Sequence, residues 1–108
     1  MLQEQSYSEI HKLILEIVYH PLLHMYFKEG LEVMTEREIL TDSGQIVIPD
    51  RLVFDGQQVT IIDYKTGKPN KNHGLQIDNY ALVLQKLNFE VLNKILVYID
   101  EEITVVKS

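Results

Sequence analysis

The chain has 108 residues, 45% hydrophobic and 24% charged, the balance of one soluble globular domain with a modest core. Sixteen acids against ten Lys and Arg give a formal charge of −6, which excludes nucleic-acid binding by bulk electrostatics and confines any such contact to a local patch. No cysteine offers a disulfide or thiolate site, and no apolar run approaches the ~20 residues that span a bilayer, so a cytoplasmic protein without membrane attachment is expected.

From Ser6 onward, Ile10, Leu13, Ile14, Ile17 and Val18 recur at helical spacing. Pro21 divides this segment into a helix to about His20 and a short second helix over Leu22 to Lys28, ended by Gly30. His20 and His24 are four residues apart, but two ligands around a helix-breaking proline make a poor zinc site. The period then switches to two. Val33 to Leu40, Gln45 to Phe54 and Gln58 to Lys65 read as a three-stranded antiparallel meander, separated by Asp42-Ser43-Gly44 and Asp55-Gly56. Thr66 to Gly74 is polar, basic and rich in turn residues, and reads as a loop. Ile77, Tyr80, Ala81, Leu84 and Leu87 mark a helix from about Leu75 to Leu87, and Val91 to Ile99 with Ile103 to Val106 form a last hairpin.

Strand parity places the chemistry. With Asp55-Gly56 as a two-residue turn, Asp50 faces Ile61 and has Asp63 as a diagonal neighbour at roughly 7–8 Å. A four-residue loop sets Asp50 directly opposite Asp63. Both registers put Asp50, Asp63 and Lys65 on one face. A three-residue loop at Asp42-Ser43-Gly44 adds Glu36 opposite Asp50 and Glu38 on the same face, whereas a two-residue loop turns both glutamates away. Carboxylates converging among apolar residues raise one another's pKa and call for a positive partner, best a divalent cation. Magnesium takes one or two protein carboxylates and leaves its other positions to water and phosphate, which suits Asp50 and Asp63, with Lys65 beside the scissile group. The plain alternative is a cross-strand salt bridge on a solvated sheet face.

Ile48-Pro49-Asp50-Arg51, then Ile61-Ile62-Asp63-Tyr64-Lys65-Thr66-Gly67, then Gln76-Ile77-Asp78-Asn79-Tyr80, resembles the PD-(D/E)XK nuclease superfamily. The resemblance is to its RecB-like branch, as found at the C-terminus of UvrD/RecB-type helicases, and covers roughly residues 20 to 108. It implies an α/β restriction-endonuclease-like core, a central mixed or antiparallel sheet flanked by helices. It also implies hydrolysis of DNA phosphodiesters assisted by Mg2+ or Mn2+. Carried over residue by residue, Asp50 and Asp63 are metal ligands, the Tyr64 carbonyl is a further donor, and Lys65 is the catalytic lysine, with Glu36 at the upstream acid. Gln76 and Tyr80, one helical turn apart, match the positions that orient the active-site loop and the DNA strand; as bare sequence they are equally helix positions flanking a core. Lys68, Lys71 and His73 continue the positive patch from Lys65 and are where a DNA backbone would run.

The sequence departs from that pattern upstream. Relatives carry a Gly-x-x-x-His segment whose histidine joins the metal site, whereas Ser6-Tyr7-Ser8-Glu9-Ile10-His11 lacks the glycine. The expectation is therefore one nuclease-like domain over 1–108, a C-terminal piece of a larger helicase-nuclease protein that partners a helicase domain. The competing expectation is a catalytically inactive nuclease-like domain that binds DNA or docks on a helicase.

Overall fold

The structure, a computed structural model, describes residues 4–35, 39–40, 46–47, 50–100 and 102–108, with side chains from Ser8 onward except at 39–40 and 46–47. The chain divides into two compact units, Met1–Gly30 and Leu31–Ser108. In the first, α1 (Glu4–Val18) ends as the Tyr19 and His20 N–H groups fall back on the Leu15 and Ile17 carbonyls at 3.0 and 3.2 Å. Pro21 has no N–H to continue the ladder. The short helix expected over Leu22 to Lys28 is instead a single 3₁₀ turn at His24–Tyr26, because so few residues cannot nucleate an α-helix. The His20 ring accepts the Leu22 N–H at 3.1 Å, so it serves the turn. Of the α1 stripe, Leu13, Ile17 and Val18 are half-buried, while Ile10 and Ile14 are exposed.

The second unit contains β1 (Glu32–Thr35), β2 (Ile39–Leu40), β3 (Ile46–Val47), β4 (Arg51–Asp55), β5 (Gln58–Thr66), α2 (Lys71–Lys86), β6 (Glu90–Ile99) and β7 (Ile103–Lys107). Five strands form one sheet in the order β1-β4-β5-β6-β7, and β2 pairs with β3 separately. All neighbours are antiparallel except β5 and β6, which are parallel because α2 carries the chain back between them. The mixed α/β architecture expected from the sequence is thus present. No helix among the described residues is long and apolar enough to cross a membrane.

The pairing of β4 with β5 follows the second of the two registers open in the sequence, the one that sets Asp50 toward Asp63, although the loop that produces it is two residues long and lies one residue later than Asp55-Gly56. Asp55 pairs with Gln58, so Gly56-Gln57 form the two-residue loop, and Gly56 takes the φ of +60° that a primed hairpin turn needs at its first position. That register pairs Arg51 with Ile62 at the end of the ladder and leaves Asp50 just ahead of it, with its side chain against that of Asp63. The β1–β4 and β2–β3 pairs, Glu32 with Phe54 and Ile39 with Val47, share the register expected for a three-residue connection. Residues 42–44 themselves, Glu36 and Glu38 lie outside the described residues.

Strand β5 is the centre of the unit. Val59 to Asp63 are five successive buried residues, which is how a strand covered on both faces reads, and why apolar alternation fades there. On one face Leu52, Phe54, Val59, Ile61, Leu96 and Tyr98 pack with Ile77, Tyr80, Ala81 and Leu84 of α2. Helix α2 begins four residues before the expected start at Leu75, so Lys71 and His73 belong to its first turn and not to a loop. The signal is Asn70, extended at φ −143°, whose side-chain oxygen accepts the Asn72 N–H at 2.9 Å. Replacing Asn70 by alanine removes that acceptor and is expected to cost about 1 kcal/mol. A lower urea midpoint with an unchanged m-value would register it.

Candidate active site

Period two along β5 sends Asp63 and Lys65 to the α2 face and Tyr64 to the opposite one. Asp63 is 3% exposed and Tyr80 is 7% exposed, so the carboxyl group sits at the edge of the apolar layer under α2. Its Oδ2 lies 3.1 Å from Lys65 Nζ, and the Lys65 ammonium also donates to Gln76 Oε1 on α2. Asp50, half-buried just ahead of β4, accepts the Tyr64 N–H on its Oδ2 at 2.7 Å. Tyr64 thus serves this face with its backbone. Its phenol is raised in pKa by burial, opposed by the Arg51 cation, with Asp50 adding to the rise.

Burial, then a hydrogen bond with the Asp50 carboxyl, push Asp63 from the ordinary 3.8 to about 6, while the Lys65 ammonium opposes the shift. Tyr80 feels the same acids: its phenol is raised by burial and then by the Asp63 and Asp50 charges. The arrangement is two carboxyl groups pressed together under an apolar helix, with one amine between the inner acid and an amide oxygen.

Asp50, Asp63, Lys65, Gln76 and Tyr80 therefore meet at one place. Lys68, Lys71 and His73 lie along the neighbouring Tyr98 side. Lys68 lines a recess of about 250 Å³ with Tyr98, Asp100 and Glu102, and Lys71 lines a second of about 340 Å³ with Tyr98, Val106 and Ser108. His73 Nδ1 is 3.1 Å from the Tyr98 hydroxyl. His11 is exposed on α1. Sequence reasoning missed two contacts of α2 with β6, His73 with Tyr98 and Asp78 with Lys94 Nζ at 2.6 Å. Both depend on the parallel register between distant segments, for which adjacent residues carry no signal.

The donor set suits a hard divalent cation. Asp63 Oδ2 is buried with the Lys65 ammonium at 3.1 Å as its cationic partner, and the Asp50 carboxyl group stands beside it, so two acids share one fixed positive charge and a second cation would relieve the crowding. Among the described residues no group of three His, Cys, Asp or Glu forms, so the carboxyl groups at this place are the Asp50 and Asp63 pair.

Because the folded chain holds the Asp63 proton more tightly than the unfolded chain, stability falls as pH rises from 3.8 to about 6 and is level above it. Asp63→Asn should remove that slope and make the cation-free protein more stable by roughly 2–3 kcal/mol at neutral pH. Urea denaturation at pH 4.5 and 7.5 in the presence of a chelator checks this. A variant less stable than the parent at the higher pH would contradict it.

The profile of the PD-(D/E)XK nuclease superfamily matches residues 10–106. Among solved structures, a protein described as "Crystal structure of SSO0001" is similar at 23% identity and a TM-score of 0.48, over 95% of this chain. The chain spans 59% of the length of that protein. No curated protein matches the chain. With 97 consecutive positions inside the family profile, and an Asp-Tyr-Lys strand at the heart of the matched region, the chain belongs to the PD-(D/E)XK nuclease superfamily.

Proposed function

We propose that this domain is a Mg2+- or Mn2+-dependent deoxyribonuclease of the RecB-like branch, acting as an exonuclease within a helicase-nuclease or DNA-repair protein of the cytoplasm. Residues 1–108 would then form a C-terminal piece of that larger protein, with a helicase domain as partner. The observation that carries the reading is the buried Asp63, crowded by Asp50 and facing a lysine on the same strand. A surface salt bridge gives no reason to bury an acid at the cost of a raised pKa. A site built to hold a cation does.

Asp50 and Asp63 would hold the ion, with the Tyr64 carbonyl as third donor and Glu36 as the upstream acid. When bound, the ion supplies Lewis-acid polarisation of the phosphodiester and acidifies water, so that hydrolysis proceeds at neutral pH. The chain's own residues fix the geometry. The Tyr64 N–H holds the Asp50 carboxyl in one orientation, and Asp63 with Gln76 holds the Lys65 ammonium from two sides. Lys65 thereby presents fixed positive charge where negative charge grows on the phosphoryl oxygens. Water adds to phosphorus, the bond to the leaving oxygen breaks, and that oxygen takes up a proton. Tyr80 walls the carboxyl pair and, with Gln76, orients the strand. Lys68, Lys71 and the Nε2 side of His73 follow the backbone away from the cut, contacts without sequence preference.

Lys65→Ala and Asp63→Ala should each lower Mn2+-dependent cleavage of linear DNA on the order of 10²–10³-fold. In parallel, Mn2+ at ~100 times its dissociation constant should stabilise the parent by ~2.7 kcal/mol and leave Asp50→Ala unshifted. Cleavage unchanged in both variants would end the reading. Mn2+ stabilisation without cleavage would favour an inactive domain that binds DNA or docks on a helicase.

A further inference from the structure

The amide that holds Lys65 is itself poorly anchored. Gln76 is exposed, and the buried residues of α2 begin only at Ile77, so none of the helix's core anchors lies in residues 71–76. First turns of helices fray unless something ties them down. The Asn70 cap closes this turn on itself, and a tie from the turn to the sheet is the contact of His73 Nδ1 with the Tyr98 hydroxyl, 3.1 Å, the two rings lying 5.5 Å apart at 38°. Tyr98 is 3% exposed, so little of it reaches water and the His73 contact is a main partner for its hydroxyl.

The four residues form a closed frame. Lys65 and Tyr98 are register partners on the parallel strands β5 and β6, and their side chains rise on the same face. His73 and Gln76 are one turn apart on α2. One diagonal pair of contacts, Tyr98 to His73 and Lys65 to Gln76, then bolts the first two helical turns onto the strand pair. We propose that Tyr98 and His73 are positioning residues that set the height of this turn over the sheet and, through Gln76, hold the Lys65 ammonium in one direction between the amide oxygen and Asp63. The catalytic consequence rests on the reading of Lys65 given above; the geometry does not. Without the latch the turn lifts, Gln76 withdraws and the ammonium keeps only Asp63 as a partner, so that it is no longer held in one direction toward a phosphate and its protons meet solvent more often.

The experiment uses the whole chain, labelled with nitrogen-15, and follows the Lys65 ammonium and Gln76 carboxamide signals by NMR. Tyr98→Phe, which removes only the hydroxyl, and His73→Ala, at a half-exposed residue, should each speed exchange of the Lys65 ammonium protons as Gln76→Ala does. Asp78→Asn, which unties α2 farther along, should not. Backbone signals of residues 77–86 must stay at their parental positions, so that a folding defect is told apart from a lifted turn; either latch variant suffices. In cleavage assays Tyr98→Phe should lower kcat about tenfold with KM within about twofold, and added to Gln76→Ala it should lower kcat no further. Lys65 exchange equal to the parent in both latch variants would overturn the proposal, as would losses that multiply in the double variant. A parent chain that cleaves nothing would sink the nuclease reading while the NMR signals still decide the latch.

Discussion

The arrangement of this domain turns on one carboxyl group placed where water hardly reaches it. Asp63 lies in the middle strand of the sheet, 3% exposed, with Asp50 against it and Lys65 as the cation beside it. An isolated ionised acid in that position would be expensive, and a neutral side chain of similar size would be more comfortable. The surrounding structure is organised around tolerating the acid: a backbone N–H fixes its neighbour, an amine stands at 3.1 Å, and a tyrosine closes the side toward the helix.

How the sequence encodes this placement is a matter of parity more than of composition. Alternation alone puts Asp50, Asp63 and Lys65 on one face, and that holds whichever even register the hairpin adopts. The exact pairing was less legible. Asp55-Gly56 reads as a strong turn dipeptide, yet the glycine is needed one place earlier in the turn, since a positive φ at the first loop residue suits the strand twist. The residue after it then becomes Gln57, which carries no turn signal of its own.

The start of α2 was hidden for a different reason. Thr66 to Gly74 contains proline, two asparagines and two glycines, a composition that argues for loop throughout. One of those asparagines is instead a cap, and a cap is recognisable only when the backbone around it is known to be extended. The consequence is functional, since His73 enters the helix and reaches Tyr98 on β6, a strand separated from it by the whole of α2. Contacts that depend on a parallel crossover leave no local trace, whereas the Asp-Tyr-Lys strand and the Gln76 to Tyr80 spacing are written within a few residues each.

A side chain that gives up its proton only near pH 6 also sets a competition. For any divalent ion taken up by the acid pair, occupancy below that pH requires displacing a hydrogen ion, so apparent affinity falls by up to tenfold for each further unit of acidity. Acidification would then empty the pair through the protonation of its own inner acid.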